Sequence, residues 1–457
     1  MKTPPNIIFI ITHDTGTYFG CYGAPVKTPN IDKLAEEGVQ FTHHFSCAPQ
    51  CTPSRGGILT GKLPHSNGLM GLTNMGWDLP DHNETIPKLL KTAGYSTHLV
   101  GLQHTHHQPK KLGYDTISPR SDAPHMGSTV VRRFKKFIKQ VEKGEIQQPF
   151  FCSVGFFETH RNFGFTGEDS SPFNTSKPRF PAKPDEIQVP PNLPMDSDEV
   201  KEDIADFVSS VKEVDNYIGK MRKLIDDSSV KDNTLIIFTV DHGIPLPRHK
   251  CTLYDPGIQT PLIMHMPSEI RGDRKENDLV SNIDILPTLL DLAGLKIPKE
   301  VQGKSIAGLL VENSAFQYTP RDHINAELTF HDIGFNPIRC IRTNKWKYIK
   351  NLVPLDILFE MPDDISHSKS GKAYLKIHPE YKSSRPEEEL YDLESDPLEM
   401  KNLAMDQKFE EVKKDLSTRL MKFLEETQDP ALKGIVAEPE VPEKGPKRYI
   451  YDFEVGK

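Results

Sequence analysis

Only 6 cysteines occur in the 457-residue chain, at 21, 47, 51, 152, 251 and 340, with no repeated spacing and no CxxC. That excludes a disulfide framework and a zinc knuckle, and it predicts reduced thiols, several of them buried. No apolar run approaches the ~20 residues of a membrane helix; the longest near the start is Ile7 to Ile11. Basic residues form no block long enough to follow a polyphosphate backbone, and 56 Lys and Arg are outnumbered by 64 Asp and Glu, for a net charge of -8. Neither nucleic acid nor a membrane is therefore an expected partner. An apolar leader with a small-residue cleavage site is also missing ahead of the first strand-like segment. The expectation is a cytoplasmic protein, or a periplasmic or secreted one already trimmed.

What is present is a recurrence of short apolar runs, at residues 6–12, 96–101, 149–157, 234–240 and 261–266. They are continuous rather than alternating, the pattern of strands covered on both faces. Helix-like segments separate them: Thr28-Pro29 opens one that ends at Gly38, and others run over 85–93, 130–143 and 196–227. This order predicts a large α/β domain with a mostly parallel central sheet flanked by helices. Residues 163–194 are rich in Pro, Ser, Asn and Gly without apolar period, so they are expected to cross the surface and shape a pocket. After about residue 335 alternating strand-like pieces and an amphipathic helix at 407–426 predict a smaller C-terminal α+β domain with an antiparallel sheet. One core stops growing near ~250–300 residues, which fits a division into 1–334 and 335–457.

In open parallel sheets ligands bind outside the carboxyl ends of the strands. Four of the five runs end there in ionisable residues: His13-Asp14, Leu102-Gln103-His104, Glu158-Thr159-His160 and Asp241-His242. One histidine after a strand is ordinarily solvated or satisfied in a core; four such ends on one rim point to a site. His106 and His107 are read as loop residues near its mouth, and Tyr391-Asp392 as a structural contact between domains.

The most specific string is Cys51-Thr52-Pro53-Ser54-Arg55-Gly56-Gly57-Ile58-Leu59-Thr60-Gly61. Pro53 suits the first turn of a helix and Gly61 its end, so Cys51 is expected beside free N–H groups that favour an anion. As C-x-P-S-R-x-x-x-L-T-G, the string resembles the signature of the type I sulfatases, formylglycine-dependent enzymes of the alkaline-phosphatase-like superfamily. Thr28-Pro29-Asn30-Ile31-Asp32-Lys33-Leu34-Ala35 with Gly38-Val39-Gln40-Phe41 is similar to another landmark of that family, and Asp241-His242-Gly243 to its second metal-binding strand end. Thr252-Leu253-Tyr254-Asp255-Pro256-Gly257 and Glu389-Leu390-Tyr391-Asp392-Leu393 look most like the heparan N-sulfatase (sulfamidase) branch.

The resemblance implies a hydrolase of a sulfate ester or sulfamate on a sulfated sugar. It implies that a formylglycine-generating enzyme oxidises Cys51 to formylglycine, whose hydrated aldehyde is the nucleophile. It further implies a divalent ion, usually calcium, held by His13, Asp14, position 51, Asp241 and His242. Arg55 would orient the nucleophile, His160 and Lys250 would donate the leaving-group proton, and His104 would act as the base that releases sulfate. Glu327 and His331 are expected to approach substrate.

Three positions depart from the family pattern. His13 stands where an aspartate is usual, which lowers the ligand charge by one and brings in a smaller or softer ion as an alternative. Leu102 replaces a lysine, which removes part of the oxyanion clamp unless another cation, such as Lys110 or Lys111, reaches in. Lys250 replaces an arginine, a point charge for a fork. These departures keep two other readings open: a phosphodiesterase or phosphonate monoester hydrolase of the same superfamily, and a sulfated-glycan-binding protein with impaired catalysis.

Overall fold

The computed structural model describes residues 4–118, 127–161, 173, 178–193, 195–311 and 316–440. Somewhat under half of the 163–194 excursion, and everything after residue 440, lies outside them. The strands of the first part are β1 (Asn6–Thr12), β2 (Val39–Phe41), β3 (His44–Phe45), β4 (Ser96–Gly101), β5 (Thr116–Ser118), β6 (Phe150–Gly155), β7 (Thr234–Val240), β8 (Leu262–His265), β9 (Arg274–Glu276) and β10 (Val280–Ser281). Eight of them form one sheet in the order β5-β4-β6-β1-β7-β8-β2-β9. The pairs from β5 through β7 are parallel, β8 runs antiparallel to both its neighbours, and β2 and β9 are parallel.

Every residue of β1 and β7 is buried, because each face of the sheet carries its own core. Ile8 and Ile10 join Phe134, Val154 and Phe238 on one side, while Ile7, Phe9 and Ile11 join Leu99, Ile237 and Leu286 on the other. That is the two-residue alternation of a strand, with both sets apolar.

The helices used below are α1 (Pro29–Glu37), α2 (Cys51–Thr60), α3 (Pro64–Asn67), α4 (Ile86–Thr92), α5 (Gly127–Glu142) and α6 (Asp198–Asp226). In α6, Ser197 accepts from the N–H of Val200 as an N-cap, and Asp198 and Glu199 complement the dipole of the first turn. Its buried stripe packs, with that of α5, on the Ile8 side of the sheet.

A second sheet is an antiparallel meander of β11 (His323–His331), β12 (Gly334–Thr343), β13 (Trp346–Asn351) and β14 (Glu388–Asp392). Residue 335, the expected division, falls just after the turn that joins β11 to β12. The helix Glu410–Glu426 lays Leu416, Leu420 and Leu424 on Ile341, Tyr348 and Leu390 of this sheet. The opposite face, with Ile338, Cys340 and Ile349, packs on Phe45, Leu253, Tyr254 and Ile258 of the first part. Buried charges lock this seam: Lys347 reaches Asp255 at 2.7 Å and Glu399 at 2.6 Å, and Arg342 reaches Asp255 at 2.8 Å. The segment so fixed follows β7 and carries Lys250.

Candidate active site

Strands β4, β6, β1 and β7 are neighbours and parallel, so their carboxyl ends share one rim. His13 and Asp14 leave β1, with Asp14 held at φ 40°; His104 follows β4 at φ 59°. Two non-glycine residues in the left-handed region on one rim are a local cost that surrounding packing sustains. Among His13, Asp14, His104, His160, Asp241, His242 and Lys250, none is more than 3% exposed.

Cys51 is the first residue of α2, and all ten residues of that helix are buried. The helix is pinned to the rim by Ser54, whose Oγ donates to the Asp241 carbonyl at 2.6 Å and accepts from Asn282 Nδ2 at 3.0 Å. Arg55, one turn on, donates from Nε to Asp241 Oδ2 at 3.0 Å and from Nη2 to the Thr12 carbonyl at 3.1 Å. Gly57 is required by contact: a Cβ there would lie 2.3 Å from Cys47 Sγ. Gly61 closes the helix in the left-handed region, its N–H on the Gly57 carbonyl.

The Cys51 sulfur lies 3.3 Å from His242 Nε2 and 3.9 Å from both His13 Nδ1 and Asp14 Oδ1. His13 Nδ1 is 2.6 Å from Asp14 Oδ1 and 3.4 Å from Asp241 Oδ2, and His242 Nε2 is 2.9 Å from Asp14 Oδ1. One donor atom from each of His13, Asp14, Cys51, Asp241 and His242 falls within 4.8 Å of all the others. The chemistry of the set fits a divalent cation. His242 Nδ1 gives its hydrogen to the Gly243 carbonyl at 3.0 Å, since a carbonyl only accepts. Its Nε2 lone pair then faces a carboxylate oxygen, which calls for a second proton or a metal between them.

Burial and then the Asp14 charge push the Cys51 thiol well above its usual range. Burial alone would raise Asp14, but Lys250, followed by His13, His160 and His242, holds it well below the usual carboxylate value. Asp241 is likewise drawn down to about 2, against its burial, by His13, His242 and Arg55. Burial and then Lys250 lower His160 to about 3. Burial would lower Lys250 too, yet Asp14 and Asp364 outweigh it and keep it protonated. His160 Nδ1 donates to the Arg161 carbonyl at 2.6 Å, which leaves Nε2 to accept from Lys250 Nζ at 3.4 Å. The transferable proton of this pair therefore sits on Lys250.

Asp364, on the short helix Asp363–Ser366, was not found in the sequence. Its Oδ2 accepts from Lys250 Nζ at 2.8 Å, matching the 2.8 Å bond from Lys250 to Asp14 Oδ2. No motif surrounds it; only the packing of the two parts brings it to the rim. His331 stands beside Cys251, the neighbour of Lys250, and within 3.3 Å of Glu360 and 3.4 Å of Asp332.

Glu327 joins a different group: it accepts from the His65 N–H at 2.6 Å, and Arg339 bridges toward it and Asp429. Lys110 and Lys111, the cations considered for the lysine lost at Leu102, lie on the short helical turn Pro109–Leu112. Both are exposed, and Lys111 pairs with Asp81 at 2.9 Å. His107 is partly exposed and pairs with Asp78. A separate cavity of about 650 Å³, lined by Tyr18, Tyr22, His43, Gln188 and Asn344, reaches Gly16 and Ile244 but none of the candidate catalytic side chains.

The sulfatase family model matches residues 5–295. The chain belongs to the sulfatase family, the sulfuric ester hydrolases. The model of the N-sulphoglucosamine sulphohydrolase C-terminal region matches residues 248–370 of this sulfatase, a stretch that contains both Lys250 and Asp364. An ulvan-active sulfatase of Formosa agariphila is 28% identical over 94% of this chain and 77% of its own. Human N-sulphoglucosamine sulphohydrolase is 27% identical over 93% of this chain and 91% of its own. The solved structure of BT4656 in complex with its substrate D-glucosamine-2-N,6-O-disulfate superposes with a TM-score of 0.69 at 20% identity, covering 93% of this chain and 99% of that one. This likeness confirms the alkaline-phosphatase-like fold. Among the described residues, no helix is long and apolar enough to cross a membrane.

Proposed function

We propose that this sulfatase cleaves a sulfate ester or sulfamate on a sulfated saccharide, using a formylglycine made from Cys51 and a divalent ion held by His13, Asp14, Asp241 and His242. The observation that carries the reading is the place of Cys51, first in a buried helix and within 3.3–3.9 Å of His242, His13 and Asp14. A thiol whose pKa is raised by burial is a poor nucleophile, so position 51 gains its reactivity by conversion. A hydrated formylglycine supplies an oxygen nucleophile for sulfur, and a divalent ion supplies charge that stabilises the sulfate oxygens. The saccharide class is supported by the names of the relatives, which act on ulvan, N-sulphoglucosamine and a glucosamine disulfate.

The remaining roles follow from protonation and reach. Lys250 gives its proton to the leaving oxygen or nitrogen, and His160 and Asp364 hold the ammonium in place. Arg55 fixes Asp241 and adds positive charge below the sulfuryl group. His104, with its ring centroid 5.7 Å from that of His13, is the base for sulfate release.

The test is the mass of the peptide that contains Cys51, from protein expressed with a formylglycine-generating enzyme, followed by sulfate release from glucosamine N- and O-sulfates, an aryl phosphate diester and a phosphonate. An aldehyde or hydrate mass with turnover of the sulfates is expected. Full turnover by Cys51→Ala, or faster phosphonate than sulfate hydrolysis, would refute the reading.

A further inference from the structure

We infer that the cation of this site is a nitrogen-preferring first-row transition ion of the Zn²⁺ type rather than Ca²⁺, an inference that rests on reading these side chains as a metal site. Calcium takes six to eight oxygen ligands at flexible geometry, and imidazole nitrogen suits transition ions instead. Here two of the four fixed donors, His13 and His242, are nitrogens.

The two carboxylates cannot make up the shortfall, because each is already engaged. Asp14 Oδ2 accepts from Lys250 Nζ at 2.8 Å, so only Oδ1 faces the other donors. Asp241 Oδ1 takes the backbone N–H of Asp14 at 3.0 Å and of His242 at 2.9 Å, which fills it, so Oδ2, with one bond from Arg55 Nε at 3.0 Å and 3.4 Å from His13 Nδ1, is the oxygen that faces the other donors. Neither is arranged to chelate with both oxygens, which is how calcium sites reach high coordination numbers. Each gives one oxygen, and the rim is too deeply buried to add a wide shell of water: His13, Asp14, Asp241 and His242 are all 0% exposed.

His242 is also held as a metal-ligating imidazole is. Its Nδ1–H goes to the Gly243 carbonyl, which fixes the tautomer and turns Nε2 toward Asp14 and Cys51. The set therefore offers two nitrogens, two single carboxylate oxygens and the group at 51, a shell of low coordination number.

The experiment uses the full chain in two forms, matured enzyme and Cys51→Ser; the second removes the thiol, which would by itself favour zinc. Each is stripped with a chelator, dialysed against equimolar Ca²⁺, Mg²⁺, Mn²⁺ and Zn²⁺, and its metal content read by mass spectrometry; the Mn²⁺-loaded form is read by electron paramagnetic resonance for ¹⁴N coupling. Stoichiometric Zn²⁺ in both forms, ¹⁴N coupling in the Mn²⁺-loaded form, and less than about a tenth as much Ca²⁺ is the expected result. Preferential Ca²⁺ retention, or bound Mn²⁺ without ¹⁴N coupling, would overturn the ion assignment while leaving the metal reading intact. Retention of no ion by folded protein would overturn both. His13→Asp should shift the Ca²⁺-to-Mn²⁺ affinity ratio toward calcium by about tenfold or more, and an unchanged ratio overturns the inference. Should His13→Asp fail to fold, His242→Asn is read in the same way.

Discussion

Neutralising Asp364 tests the proposed step in which Lys250 protonates the leaving group. Lys250 Nζ is held between Asp14 and Asp364 at 2.8 Å each, and both Lys250 and Asp364 are 2% exposed. In Asp364→Asn the amide oxygen still accepts a hydrogen bond, so the fold is retained, but the charge that draws the ammonium away from Asp14 is lost. A hydrogen bond between charged groups contributes ~1.5–3 kcal/mol. If that energy aims the proton, its loss corresponds to a fall of about 10- to 150-fold in rate, at or below the lower end of the ~10²–10⁴ that a general acid supplies. The fall must depend on the leaving group. A saccharide alkoxide or amine needs the proton, whereas a nitrophenolate departs without it. The assay is kcat/KM of matured wild type and variant on a saccharide sulfate and on 4-nitrophenyl sulfate. A large fall on the first with less than about threefold on the second is expected. Equal falls on both substrates would reduce Asp364 to a packing role, and no fall on either would remove it from the mechanism.

Two stability predictions concern the frame of the site. Burial raises Glu158 from 4.5 to about 7, so between those values the folded chain keeps a proton that the unfolded chain has released. Stability then falls as pH rises through that window and is flat above it, and wild type should lose up to ~3 kcal/mol relative to Glu158→Gln across it in chemical denaturation. A pH-independent difference between the two proteins would contradict the burial of a protonated Glu158. Gly57→Ala places a Cβ 2.3 Å from Cys47 Sγ and 3.3 Å from Ile283 Cγ2; overpacking of this kind costs about 1–3 kcal/mol. The thermal midpoint should drop by at least about 2 °C and recover in part in Cys47→Ala/Gly57→Ala, whereas an unchanged midpoint would show that α2 can shift.

Much of this arrangement was legible because it is written in local pattern. Continuous apolar runs are what two-faced burial requires, so β1, β4, β6, β7 and β8 could be read directly, and His13-Asp14, His104, His160 and Asp241-His242 followed as the residues at their ends. The string from Cys51 to Gly61 carried its helix in its own Pro and Gly. The strands β2, β5 and β9 have three residues each, too few to carry a period, and they join the sheet only because its edges present unpaired backbone groups. β11 was missed for a different reason. Its sequence, HINAELTFH, mixes charge with apolar residues and reads as a solvated approach, yet Glu327 and His331 are 1% and 7% exposed. What permits that burial is pairing with residues distant in sequence: Glu327 meets His65, and Arg339 on β12 meets Asp429.

Asp364 belongs to the same class, and it shows where sequence pattern stops. A carboxylate in the stretch Met361-Pro362-Asp363-Asp364 is, locally, an exposed helix start that complements a dipole. It becomes a partner of Lys250, 114 positions away, because the buried charges of Lys347, Asp255 and Glu399 fasten the second sheet to the segment that carries that lysine. The first part alone would leave Lys250 with Asp14 as its single carboxylate, drawn toward the cation site. With Asp364 on the other side, the ammonium is held between the two. The second sheet therefore does more than border the rim: through one carboxylate it sets where the Lys250 ammonium stands, and in the proposed mechanism that is where the proton waits for the departing oxygen or nitrogen.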